Sequence, residues 1–236
     1  MKTLFAALLC ALLLILISSG DLYAGDKLYR FGLQIGPFIP NNWQIQGWTS
    51  IWRDQDGSIT GGNLEGFGNG VDIILYGQYR FRHWELRFDA GGRLLIRRKL
   101  DIITETSETR YENRLIIYPF TLSFIRRTDI LKTFFSPYFG IGGGIYFADW
   151  EEKYSYSSGY SYNRVWLKGS SAPFGVHFLT GIDYDLWWNL CLQFEYRYSY
   201  VELNWELKDQ DTDEREKIKN LDIGGTSLKL GLGYSF

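Results

Sequence analysis

Two histidines, His83 and His177, occur in the 236 residues of the chain, and they bound any nucleophilic chemistry it could perform. A catalytic serine needs a base within hydrogen-bond reach and a group, typically a carboxylate, that orients the base. His83 falls in the short turn at Arg82-His83, where a solvated structural role is expected. His177 falls in the polar phase of an alternating segment, and Leu179, two residues on in the same phase, has no nucleophilic atom. Metals and cofactors have still less to hold them. No His/Cys/Asp/Glu cluster has ligand spacing, and no helix follows the Gly-rich stretches 61–70 and 140–144 to receive a phosphate. The run Lys208-Asp209-Gln210-Asp211-Thr212-Asp213-Glu214 pairs acids but lacks the glycine and the spacing of a helix-loop-helix calcium site. No cofactor and no metal are expected.

The charged residues offer more. Arg30, Asp72, Arg80, Glu85, Arg87, Asp89, Arg93, Asp183, Glu195, Arg197 and Lys229 all occupy the polar phase of segments in which every second residue is apolar. They comprise six cations and five anions. Unpaired charges inside a narrow enclosure cost several kcal/mol each, so a near-balanced set predicts an ion-paired, hydrogen-bonded plug. A third group is aromatic: Trp43, Trp48 and Trp52 amid Asn, Gln and Gly, and Tyr154, Tyr156, Tyr160 and Tyr162 in the Tyr/Ser/Gly-rich stretch 153–163. Two readings of the tyrosines stay open. Tyr with Ser and Gly gains contact area at low entropic cost, as in antibody loops, which suits a binding surface. Tyr at every second position also suits cross-strand pairs in a hairpin standing above a membrane.

The elements that must position these groups are strands. Alternation of period two recurs over 29–36, 71–81, 84–96, 116–125, 137–147, 174–184, 190–200 and 227–236, eight segments each near the roughly 9–11 residues that a tilted membrane strand needs. In 190–200, for example, Leu190, Leu192, Phe194, Tyr196, Tyr198 and Tyr200 alternate with Cys191, Gln193, Glu195, Arg197 and Ser199. Connections alternate too. Short ones lie near 82–83, 126–132 and 185–187, and long ones span 37–70, 97–113, 148–171 and 202–225. Short turns on one side and long loops on the other describe an outer-membrane barrel with both ends in the periplasm. Phe81, Trp84, Phe134, Phe135, Tyr184, Trp187, Trp188, Tyr234 and Phe236 flank the short turns, where a periplasmic aromatic girdle would sit.

Composition fits this architecture. The chain is 45% hydrophobic, 18% aromatic and 22% charged, and 25 Lys plus Arg against 27 Asp plus Glu leave no cationic excess for nucleic acid. No segment after the N-terminal region approaches about 18 consecutive apolar residues, which excludes a bundle of membrane helices. Lys2, the apolar run 4–17 and the small residues up to Ala24 have the layout of a secretory signal peptide. Cleavage is expected after Ala24, with the bond after Gly20 as second choice, so residues 1–24 are read as signal and 25–236 as one exported domain. The mature chain then keeps Cys191 alone and has no internal disulfide.

The segments 136–144, 175–184, Glu195-Tyr196-Arg197-Tyr198 and 230–236 resemble the eight-stranded outer-membrane β-barrel family of OmpA and OmpX type. The resemblance spans essentially the whole mature chain. It implies an all-β, eight-stranded antiparallel up-and-down transmembrane barrel in the bacterial outer membrane. It further implies that the barrel-assembly machinery reads Leu228, Leu230, Leu232, Tyr234 and Phe236 during insertion. The chain departs from OmpA itself by stopping at the last strand, so no peptidoglycan-binding domain is expected. An interior just wide enough for side chains argues against a general diffusion porin. The expected function is a closed-lumen structural or surface-interaction protein (adhesion or binding), without catalysis. A narrow or gated solute conduit is the alternative, and a lipid-modifying enzyme a second one. The lipid A deacylase type of barrel carries His and Ser two apart on a lipid-facing strand, a pattern that His177 and Leu179 do not repeat. Expected partners are outer-membrane lipid and lipopolysaccharide, the assembly machinery and an extracellular ligand at the loops, around a monomeric barrel.

Overall fold

The computed structural model describes residues 29–41, 49–53, 59–63, 70–81, 84–95, 98–103, 107–128, 135–158, 161–210 and 215–236. The signal segment 1–24, Trp43, Trp48, His83, Phe134 and Tyr160 lie outside them.

Thirteen strands occupy the described residues: β1 (Tyr29–Pro40), β2 (Thr49–Arg53), β3 (Ile59–Asn63), β4 (Gly70–Phe81), β5 (Trp84–Leu95), β6 (Arg98–Ile103), β7 (Ser107–Arg127), β8 (Phe135–Ser158), β9 (Ser161–Ser171), β10 (Phe174–Asp185), β11 (Leu190–Asp209), β12 (Arg215–Asp222) and β13 (Gly225–Ser235). Eight form a closed antiparallel ring, β1-β4-β5-β7-β8-β10-β11-β13 and back to β1. At the seam, Phe236 N–H donates to Tyr29 C=O at 3.0 Å and Tyr29 N–H to Phe236 C=O at 3.3 Å. The Phe236 ring stacks on Phe31, centroids 5.6 Å apart.

The ring does not end where the expected long loops begin. β6 pairs with the upper part of β7, which runs on beside β8 up to Ser107 opposite Ser158. β9 continues the line of β10 across Ala172-Pro173 and pairs with upper β8, while β12 continues β13 across Ile223-Gly224 and pairs with upper β11. β9 meets β11 at Lys208 opposite Lys168. Six of the eight staves thus rise as one sheet, in the order β6-β7-β8-β9-β11-β12. Among the described residues β1 covers Tyr29–Pro40 and β4 begins at Gly70, and β2 and β3 pair with each other as a two-stranded sheet. Much of 97–113, 148–171 and 202–225, expected as loops, is therefore strand: once hairpin pairing begins in the wall, each added residue extends the hydrogen-bonded ladder that would otherwise be left exposed at its end.

Side-chain orientation explains why the barrel needs a bilayer. Around the ring the outward phase is exposed and apolar, with Leu33, Ile35, Ile73, Leu75, Leu86, Leu122, Phe139, Ile141, Phe178, Phe194, Leu230 and Leu232 among it. The inward phase is buried and mostly polar or small. In the raised sheet the order reverses. Leu115, Ile117, Tyr146, Ala148, Trp150, Leu167, Val201, Leu203 and Ile223 turn inward and pack with Phe38 into a buried apolar cluster, while Arg114, Asp149, Lys168 and Glu202 face out.

On the opposite rim, Leu190 N–H donates to Trp187 C=O, and Trp188 and Asn189 between them have φ of 58° and 66°. Two positive φ values make this the mirror-image hairpin turn that matches strand twist, a conformation that favours Gly and Asn. Trp188 adopts it while standing exposed beside Trp187, at the level where interfacial aromatics sit.

Candidate functional site

The inward phase builds a lumen in three charged tiers. At the periplasmic end Arg30 pairs with Asp183, and Arg127 bridges Asp183 at 2.6 Å and Glu85 at 2.6 Å. Gln78 donates to Glu85, Arg30 Nε donates to Ser235 Oγ at 3.0 Å, and Arg80 lies 3.8 Å from Glu85 at the mouth. In the middle Arg87 donates to Asp89 at 2.7 Å, to Glu195 at 2.5 Å and to Gln34 at 2.8 Å. Arg197 reaches Asp89 at 2.7 Å and Glu195 at 3.1 Å, and Lys229 Nζ stands 2.9 Å from Glu195. Tyr138 Oη donates to Glu195 at 3.2 Å, and the Arg87 guanidinium lies over the Tyr76 ring. Above, Arg93 clamps Asp72 through Nε at 2.8 Å and Nη2 at 3.2 Å, with its guanidinium over Phe38. The apolar cluster follows.

Bonds such as Arg87–Glu195 and Arg197–Asp89 join residues 108 apart in sequence, on strands that do not neighbour each other in the ring. They span the lumen. Charge-assisted pairs of this kind fix position as well as adding energy, because each partner already has its hydrogen bonds committed.

Every charged residue that the sequence assigned to the inward phase does face inward, but two features escape that reading. The short turn expected over 126–132 starts later: β7 runs to Arg127, whose buried side chain joins the periplasmic tier as a seventh cation. Continuing the alternation two residues past Ile125 would have found it. The second is His177, whose Nε2 lies 2.8 Å from Ser123 Oγ, two strands away. Gly142, on the strand between, makes this contact possible, since a Cβ there would stand 2.6 Å from His177 Nε2. Among the described residues His177 Nδ1 has no hydrogen-bond partner and no carboxylate orients the ring, and both side chains are buried.

The aromatic candidates divide. Tyr154 is buried on the inner side of the raised sheet opposite Val165, not displayed at a loop tip, because it shares the inward phase of Trp150 and Glu152. Tyr156 is half-buried. Tyr162 and Trp52 belong to β9 and β2 by their backbones. Outside the raised sheet's wall, Trp166 Nε1 donates to Glu151 at 3.1 Å, and Lys168, Lys153 and Arg164 flank its ring at 4.2, 5.1 and 5.3 Å from the centroid. Leu228, Leu230, Leu232, Tyr234 and Phe236 form an exposed outward row on the last strand.

A closed ring with an apolar exterior and a charged interior is stable only with lipid around it. Solved structures share the barrel fold. The outer membrane protein OprG from Pseudomonas aeruginosa superposes at a TM-score of 0.50 and 15% identity, covering 90% of this chain and 98% of that one. The chain has the fold of an eight-stranded outer-membrane β-barrel. Similar, too, are a major outer membrane protein of Thermus thermophilus (TM-score 0.48, 12% identity, 88% and 99% covered) and Neisserial surface protein A (0.46, 15%, 91% and 100%). No protein-family model and no curated protein sequence matches the chain. At these identities the likeness extends to the fold of the barrel alone.

Proposed function

We propose that the barrel is a closed-lumen scaffold whose work is done at the cell surface, where its raised sheet serves a structural or adhesive and binding role without catalysis. One observation carries this reading: a lumen crossed by buried ion pairs supports a continuous sheet built from six of its eight staves. A rigid, filled barrel suits a pedestal better than a pore, because opening it would break several buried charge pairs at once. The Ser123–His177 contact lacks an orienting group and lies buried in the wall, which favours a structural role for it. In this reading the apolar belt engages outer-membrane lipid and lipopolysaccharide, and the barrel is monomeric. The assembly machinery reads the row from Leu228 to Phe236, and an extracellular ligand meets the raised sheet.

Planar-bilayer recordings of the full chain are expected to show no steady conductance. A steady current abolished by Arg87→Ala or Glu195→Ala would overturn the closed lumen and favour a narrow or gated conduit. Deleting residues 153–163 is expected to abolish binding of whole cells to extracellular matrix while heat-modifiable gel migration persists. Binding that survives the deletion would count against the sheet as the contact surface. Lipid A should have the same acyl pattern by mass spectrometry with and without the protein.

A further inference from the structure

Charge is not spread evenly over the outward face of the raised sheet, where cross-strand register sets the side chains in rows. The row Arg114, Glu151, Lys168, Lys208 runs across β7, β8, β9 and β11. Above it lies Glu112, Lys153, Trp166, and above that Arg110, Ser155, Arg164. These three rows hold six cations against two acids, in a chain whose formal charge is -2. The row beneath, Ile116, Asp149, Ser170, has an acid and no cation, and Glu206 stands one outward step below Lys208. An acidic margin thus separates the cationic patch from the surface of the bilayer.

The centre of the patch is held in place. Lys153 Nζ and Lys168 Nζ share Glu151 Oε1 at 3.1 and 3.9 Å, and Trp166 Nε1 donates to the same oxygen at 3.1 Å. Lys168, Lys153 and Arg164 stand over the Trp166 ring. One carboxylate among three cations leaves two positive charges in excess within this group. Beside it Lys168 and Lys208 lie directly opposite each other on β9 and β11, and like charges so placed cost stability, which an anion lying across them relieves. Arg110, Arg114, Arg164, Lys168 and Lys208 are exposed and Lys153 is half-buried. Four strands and three rows span about 14 by 13 Å of flat sheet, a surface for an extended chain of repeated anions, whereas an enclosed small molecule needs a concave pocket. The Trp166 ring is engaged by its three cations and so offers no platform for the base stacking on which binding of single-stranded nucleic acid depends. The acidic margin, for its part, turns the patch away from the headgroup phosphates of its own membrane.

We propose that this patch binds a linear acidic polysaccharide, built of sulfated or carboxylated sugars and presented from outside the cell, with Lys153, Arg164, Lys168 and Lys208 as its principal contacts. The inference rests on the raised sheet being the contact surface and names the class of ligand that meets it. Arginine forks match the paired oxygens of sulfate and carboxylate, and the ammonium groups add point charges. Because the contacts lie at the surface, salt screens them and binding is steeply salt-dependent.

Dextran sulfate is the probe. The full chain in phosphatidylcholine vesicles is expected to bind it, with an affinity that falls as salt rises, and to ignore uncharged dextran. Arg164→Gln combined with Lys168→Gln should weaken binding about tenfold, and Glu112→Gln should tighten it, with heat-modifiable migration retained in both. Lipopolysaccharide added to the vesicles should leave binding unchanged. No binding by the natural chain, equal binding in the double variant, loss of binding on adding lipopolysaccharide, or tighter binding of a single-stranded polynucleotide of equal charge would overturn the proposal. Should the double variant fail to fold, Glu112→Gln and the lipopolysaccharide arm decide. Matrix binding by whole cells separates this inference from the reading beneath it. Adhesion that survives deletion of residues 153–163 counts against the contact surface even where dextran sulfate binds, whereas adhesion lost on deletion with no dextran sulfate binding overturns the ligand class alone.

Discussion

Along β8 the outward residues read Phe139, Ile141, Ile145, Phe147 and then Asp149, Glu151, Lys153, while the inward ones pass from Tyr138 through glycines to Tyr146, Ala148 and Trp150. On β11 the outward Leu192, Phe194, Tyr196, Tyr198 and Tyr200 give way to Glu202, and the inward Glu195, Arg197 and Ser199 to Val201 and Leu203. The same strands thus obey two opposite packing rules. In the lower barrel the solvent is hydrocarbon, so apolar side chains face out and polar ones must satisfy one another inside. In the raised sheet the solvent is water, so the apolar side chains turn in and the charges out. The level at which the phases exchange, near Ala148 and Val201, marks the outer surface of the membrane.

If the two halves are held by different forces, they should fail differently. The largest effect belongs to the lower half: Glu195→Ala strips Arg87, Arg197 and Lys229 of their shared partner and should cost about 3–5 kcal/mol, read by urea unfolding in lipid vesicles. Leu203→Ala in the upper cluster should cost about 2–5 kcal/mol as a cavity, with loss of protease resistance confined to the raised sheet. An Arg at the middle of the belt, Ile141→Arg, should cost about 2–4 kcal/mol in the same vesicles. On the same strand and face but above the crossing level, Ser155→Arg should stay within about 0.5 kcal/mol. Equal costs at these two positions would erase the distinction between the regions.

The smallest effect is a titration. Burial alone would push the Glu151 carboxyl up, but the hydrogen bond and charge of Lys153, with Trp166 Nε1 and Lys168 beyond it, outweigh burial and hold it below the usual carboxylate range. Its contribution is therefore complete above the ordinary carboxylate range and is lost as pH falls through the lowered value. Trp166 fluorescence should hold steady down to that point and then change, a step that Glu151→Gln removes.

The inversion also explains what the sequence made legible. A single hydrophobic phase located all eight membrane strands, since Leu190–Tyr200 and its counterparts keep one phase throughout the bilayer. Beyond the hairpin reading of 153–163, the raised sheet is not legible because apolar residues exchange phase at the crossing: on β8 they move from odd to even positions after Phe147, and a fixed template reports a loop. Of the two readings open for Tyr154, the cross-strand one matches its pairing with Val165, but its inward position is invisible until the phase is reset. The ion-pair candidates were identifiable residue by residue, whereas their partners were not, because Arg87 meets Glu195 only after ring closure brings distant strands face to face. Ser123 and His177 needed a glycine on a third strand to meet.

The seam between β1 and β13 joins residues as far apart as Arg30 and Ser235, separated by 205 positions. Loops that long are entropically the most expensive to close, so this pairing belongs to the end of folding, after the sequential hairpins have zipped. Until then the chain is an open, strongly apolar sheet with two bare edges, one on β1 and one on β13, each able to capture a strand from another molecule. Whatever shelters those two edges during insertion controls the yield of folded protein, and a substitution that slows the seam, such as loss of the Phe236–Phe31 stack, would be felt as aggregation long before it was felt as instability.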